Sequence, residues 1–171
     1  DVLGIWPTWP TLGLDERNQW DLYSDLPGGI PALAELSAKA KDQGTRLFIA
    51  YNPWDQSTRK ENPYQAMAGL IKAVDADGVV LDTRGSSSFE LQRAADSVKQ
   101  GVIMYSEGMA IPQDMPGIIS GRVHDAIFMP PPLNLNKLIR PDFNIFRVCQ
   151  LSQGRIHREV AISLFNGYGI E

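Results

Sequence analysis

The chain has 171 residues, with 16 basic and 20 acidic side chains and a formal net charge of −4. That length reads as one domain, residues 1–171, able to bury a sizeable core. The charges are scattered, without a basic block or arginine-rich helix, so the electrostatic footprint of a nucleic-acid partner is missing. The longest apolar runs fall far short of a membrane span, and the N-terminus lacks the charged-then-apolar layout of a signal peptide. Cys149 is the single cysteine, so an internal disulfide and a thiolate zinc cluster are both excluded, and the thiol reads as buried and inert. There is no Asn-x-Ser/Thr site, and the sequence leaves the compartment undetermined.

Val2–Trp6 is a short apolar run closed by Pro7, and it predicts a strand whose end carries Trp6 and Trp9. The following TLGLDERNQWDLYSD reads as a long polar and aromatic loop, and Pro27-Gly28-Gly29 punctuates the chain. Ile30, Leu33, Leu36 and Ala40 recur at helical spacing over Ile30–Lys41, with Gly44 placed to cap the C-terminus. Thr45–Tyr51 is a near-continuous apolar strand, the pattern expected when both faces are covered, and it ends in Asn52-Pro53-Trp54-Asp55. The unit then repeats. Pro63–Val74 predicts a helix with Pro63 in its first turn, Asp77–Asp82 a strand, and Phe89–Lys99 a helix stopped by Gly101.

Val102–Tyr105 is the next predicted strand, running into Ser106-Glu107. Ile111–Val123 reads as helical in parts, interrupted by Pro112, Pro116 and Gly117, and Asp125–Met129 as a further strand before a proline-rich loop. Asn144–Cys149 reads as a short strand or a helix start, and Ile156–Phe165 as a helix. Strands alternating with helices predict an α/β domain with a parallel sheet and its helices outside. No glycine-rich phosphate loop follows any strand, which argues against a nucleotide-binding open sheet. Aromatic and acidic residues at the strand ends favour a TIM-barrel-like β/α barrel instead. A complete barrel typically takes about 250 residues. The expectation is therefore a partial barrel or a piece of a larger one, whose open edges would invite self-association.

Active sites of parallel β/α folds lie at the C-terminal strand ends. Those ends collect Trp6, Trp9, Asn52, Trp54, Asp55, Asp82, Arg84, Tyr105 and Glu107. Aromatic faces stack on the apolar faces of sugars while carboxylates and amides bond to hydroxyls, so the set predicts an oligosaccharide or glycoside ligand. Retaining glycoside cleavage needs a carboxylate nucleophile and a second carboxylate about 5 Å away as acid and then base. Asp82, on a short arm, suits the first role and Glu107 the second. Arg84 is placed to hold Asp82 ionised or to bind a hydroxyl. The bland readings are an N-cap or turn for Asp82, a solvated loop for Glu107, turn duty for Asp55 and packing for each aromatic. His124 and His157 are isolated, and no lysine falls on a strand end, so neither a metal nor a Schiff base is expected. No cofactor is required.

DGVVLD ending on Asp82, followed by VIMYSE ending on Glu107, resembles the alpha-amylase-like and endo-alpha-N-acetylgalactosaminidase-like retaining glycosidases. In those enzymes that Asp is the nucleophile and that Glu the acid/base. The stretch Leu26–Asp55, LPGGIPALAELSAKAKDQGTRLFIAYNPWD, is similar to the alpha-galactosidase clan, which has such a unit before the nucleophile strand. That clan uses Asp as its second carboxylate where this chain has Glu107. The amylase pattern places Arg two residues before the nucleophile, a position held here by Val80. The resemblance implies an alpha-glycosidase. The alternative is a non-catalytic carbohydrate-binding or scaffold barrel, which needs the aromatics but not the acids.

Overall fold

The computed structural model describes residues 1–7, 17–53, 55, 61–82, 89–106, 120–123, 138–147 and 156–170. Seven strands, β1 (Val2–Ile5), β2 (Arg46–Tyr51), β3 (Gly78–Leu81), β4 (Ile103–Ser106), β5 (Ser120–Val123), β6 (Asn144–Arg147) and β7 (Gly169–Ile170), form one sheet. The strands lie side by side in chain order, and every pairing is parallel. The helices are α1 (Gln19–Ser24), α2 (Gly29–Asp42), α3 (Pro63–Val74), α4 (Phe89–Asp96) and α5 (Ile156–Asn166). The fold is α/β, and β1–β6 curl together as half a barrel, with the two-residue β7 added at the edge. Among the described residues no ladder joins β7 to β1.

Local chemistry accounts for the central units. Asn62 caps α3 by accepting from the Tyr64 N–H at 2.9 Å, and Pro63 takes the first helical position, where its missing donor costs nothing. The helix stops at Asp75, whose φ of 53° is left-handed. Met67, Ile71 and Val74 of α3 pack against Leu47 and Ile49 of β2, Val79 and Leu81 of β3, and Leu91 and Ala95 of α4. Each such side chain, fully buried, stabilises the fold by about 1.5–3 kcal/mol. A second, smaller cluster on the opposite, concave face joins Phe48, Val80 and Tyr105, with Ile103 against it. Alternation along the strands thus divides apolar side chains between two layers, which is why β2 and β3 read as continuous apolar runs.

At the N-terminal ends of the strands, two lysines and two aspartates tie helices to sheet. Lys99 Nζ donates to Asp77 Oδ1 at 2.8 Å and lies 2.7 Å from Asp75 Oδ1, while Lys41 pairs with the Asp75 carboxylate and lies 3.6 Å from Asp77 Oδ1. Asp77 Oδ2 also accepts from the Leu47 N–H at 3.0 Å. Burial alone would raise both carboxyls, but the lysines, and at Asp77 the Leu47 N–H, outweigh it and hold them below the usual carboxylate range. A depressed folded pKa gives stability that is present above the unfolded value of about 3.9 and lost as pH falls through the folded one. Asp77→Ala strands the Leu47 N–H in the sheet. It should cost about 1–3 kcal/mol at pH 7 in urea melts, with the difference from wild type shrinking as pH falls below about 4.

Three sequence expectations are corrected. Gln19–Ser24 is a helix rather than a loop: Asn18 accepts from the N–H groups of Trp20 and Asp21, and the Asp21 carboxylate accepts from the Asn18 N–H, closing a capping box. Ser120–Val123 is a strand rather than helix, because Ser120 and Gly121 pair with Tyr105 and Ser106 on one side and with Asn144 and Ile145 on the other. Ladder partners, not side-chain pattern, define that strand. The strand expected over Asp125–Met129 lies outside the described residues. Helix α4 also ends earlier than expected, at Asp96, whose carboxylate accepts from Gly101 N–H and Gln92 Nε2, both at 3.1 Å.

Candidate functional site

On the concave face, strand register stacks side chains in layers toward the C-terminal end. Phe48 pairs with Gly4 on one side and Gly78 on the other, and its ring covers Gly78 so closely that a Cβ there would lie 2.5 Å from it. One layer higher, Ala50 aligns with Val80, Val80 with Tyr105, Tyr105 with Ser120, and Ser120 with Asn144. Within one residue above that layer β2, β3 and β4 end, whereas β5 and β6 begin in it and run on to Val123 and Arg147. Asp82 N donates to Tyr51 O at 2.9 Å, so the ladder between β2 and β3 extends one bond past the last paired residues. Asp82 itself is 9% exposed. Two residues beyond Val80, it shares the concave side of the alternation.

Five of the expected site residues are described. Asp82, Asn52 and Tyr105 lie at the C-terminal ends of neighbouring strands: Tyr105 is buried beside Val80, and Asn52 is half-buried. Trp6 follows β1 and is 37% exposed, its ring folded back over Gly4, where a Cβ would meet it at 2.8 Å. An exposed indole against a glycine floor is a surface onto which an apolar sugar face can stack. Trp9, Trp54, Arg84 and Glu107 lie outside the described residues. Ser106, immediately before Glu107, is fully buried and pairs with Leu81, immediately before Asp82.

Asp55 is committed to the protein itself. Its carboxylate accepts from the Gln19 N–H at the start of α1, where the helix dipole favours a negative charge. The Gln19 side chain completes the joint: Nε2 donates to the carbonyls of Asn52 (2.8 Å) and Asp55 (3.0 Å), and Oε1 accepts from the Asn52 N–H (2.9 Å). Burial, then the nearby Asp21 charge, raise the Asp55 carboxyl, with the Gln19 N–H opposing them. A raised folded pKa opposes folding at neutral pH, and the penalty disappears below the unfolded value of about 3.9. Asp55→Asn keeps an acceptor without the charge. Its thermal midpoint at pH 7 should therefore equal or exceed wild type, with any gain gone at pH 3.5; a lower midpoint at pH 7 would show that the charge itself holds α1.

No family model, curated protein or solved structure matches this chain. What the site can do is therefore read from its own residues.

Among the described residues, no three His, Cys, Asp or Glu side chains gather as metal ligands, and no helix is long and apolar enough to cross a membrane. An open depression of about 220 Å³ lies on the helix side, lined by Trp20, Ile30, Ala66, Gly69 and Leu70 among others. It contains none of the strand-end residues and stands apart from the candidate site. Sequence reasoning missed Gln19 and Tyr23, both fully buried and both bonded to strand ends. Their only advance signal was the Asn18-x-x-Asp21 capping box, which marks a helix start in what otherwise reads as loop.

Proposed function

We propose that the chain is the catalytic part of a TIM-type β/α barrel that hydrolyses alpha-linked glycosides with retention. Asp82 attacks the anomeric carbon, and Glu107 protonates the departing oxygen and then activates water. Trp6, Trp9, Asn52, Trp54, Arg84 and Tyr105 line the glycosyl subsite, and Asp55 fixes its rim. The reaction needs no metal or organic cofactor. The observation that carries this reading is Asp82: a carboxylate buried to 9% exposure at a C-terminal strand end on the concave side. The pairing of Leu81 with Ser106 supports it, because the next residue on each strand is one of the two acids. The curled, sequential parallel sheet supports the barrel. The β1 edge, with Val2 56% exposed, is the surface through which incomplete barrels would self-associate.

The test is hydrolysis of a panel of aryl alpha-glycosides, with the anomer of the first-formed product read by proton NMR. An alpha product is expected. A beta product would replace retention by inversion and require the two carboxylates to stand about 6.5–9.5 Å apart. Saturable oligosaccharide binding without turnover would instead assign a non-catalytic carbohydrate-binding barrel.

A further inference from the structure

Helix α1 interrupts what would otherwise be a direct passage from β1 to α2. Six residues are too few to hold a helix by themselves. Its stability comes from contacts, and these go to the ends of two strands. Tyr23 is fully buried, and its hydroxyl lies between β1 and β2 just beyond the last pair of their ladder, Ile5 with Ile49. It accepts from the Ala50 N–H at 2.7 Å and has the carbonyls of Ile5 and Ala50 both at 3.0 Å for its single proton. Burial pushes this phenol far above its ordinary pKa, so it remains a neutral donor at any working pH. Thus a hydroxyl, not a direct backbone bond, spans the strands where they approach the site. One turn earlier, the Gln19 amide donates to the carbonyls of Asn52 and Asp55 and accepts from the Asn52 N–H.

The two contacts act on one gap. Trp6 directly follows Ile5, and Asn52 lies two residues beyond Ala50. Tyr23 sets how far β1 and β2 part, and Gln19 fixes the height and direction of the segment leaving β2. We propose that Gln19 and Tyr23 are positioning residues that set the spacing between Trp6 and Asn52, and so the glycosyl unit that the rim accepts. This rests on the sugar-processing reading of the site.

Tyr23→Phe keeps the ring that stacks on Trp20 at a 6.5 Å centroid separation and removes only the hydroxyl, while Gln19→Ala removes the amide. Each variant is compared with wild type by amide hydrogen exchange and by kinetics on aryl alpha-glycosides differing in the glycosyl unit. Gln19→Ala should exchange the Asn52 amide about tenfold faster or more, since its acceptor is gone. In both variants KM should rise about tenfold for the preferred glycoside, with kcat within about threefold and the ranking of glycosides flattened. A merely structural role would lower kcat with the folded fraction and leave KM and the ranking unchanged, and that result overturns the proposal. Unchanged Asn52 exchange in Gln19→Ala overturns it as well, whatever the substrate. Accelerated exchange in a protein whose wild type cleaves no glycoside would uphold the positioning role and remove the sugar reading instead.

Discussion

Asp82→Asn should lower kcat/KM toward an aryl alpha-glycoside by on the order of 10⁴-fold, as removal of a covalent nucleophile does elsewhere. The amide keeps the shape of the side chain but cannot attack an anomeric carbon. Fold loss is a poor explanation for such an effect, because Asn has nearly the shape of Asp and retains the N–H that makes the ladder bond. The thermal midpoint should therefore stay within a few degrees of wild type, and circular dichroism should be unchanged. Glu107→Gln should show the other half of the mechanism. It loses most with poor leaving groups that need protonation and far less with activated aryl leaving groups, for which general acid help of typically 10²–10⁴-fold is not required. A purified Asp82→Asn protein with near-wild-type turnover would remove Asp82 from the mechanism.

Gly78→Ala should destabilise the protein by about 1–3 kcal/mol, and the cause is steric. The φ of Gly78 is not left-handed, so an alanine suits the backbone, and by stiffening the unfolded chain it would by itself add about 0.4–1 kcal/mol of stability. The added Cβ, however, would sit 2.5 Å from two carbons of the Phe48 ring and 2.7 Å from a third. Phe48 is 5% exposed and held by Val80 and Tyr105, so the ring can yield only by displacing the layer beneath the candidate site. Overpacking exceeds the entropic gain. At this chain length 1 kcal/mol moves a thermal midpoint by about 2–4 °C. Phe48→Leu in the same protein should recover part of the loss, and a double-mutant cycle should show coupling of about 0.5–3 kcal/mol. Strict additivity would mean that the two residues do not compete for space.

The parts of the fold legible in the sequence were those whose reasons are local. Asn62-Pro63 starts α3, and the run Leu47–Tyr51 is apolar throughout because β2 is covered on both faces. The end of that logic at Asp82 was legible too, since a carboxylate closing an apolar run marks where a buried strand meets a loop. Strand β5 was not, because Ser120-Gly121-Arg122-Val123 has almost no apolar character and is a strand through its neighbours. Helix α1 was hidden for a related reason: Gln19 and Tyr23 are polar residues buried for the backbone groups they satisfy, which no periodicity reports. The same contrast holds around the candidate site: Asp82 was visible as a carboxylate at a strand end, whereas Gln19 and Tyr23, which bond the ends of β1 and β2, were visible only once strands and helix stood together.

The order of the strands also governs how the chain can fold. Because each strand's hydrogen-bonded neighbour is the next one along the chain, every ladder closes over a single intervening connection. Loop-closure entropy is paid in modest steps, and no strand must wait for a distant one. The sheet can therefore grow strand by strand as the polypeptide is synthesised, each new strand docking on the edge left by the last. On that route the β2–β3–α3 core forms early, and the pair of strands carrying the two acids is joined as soon as β4 emerges.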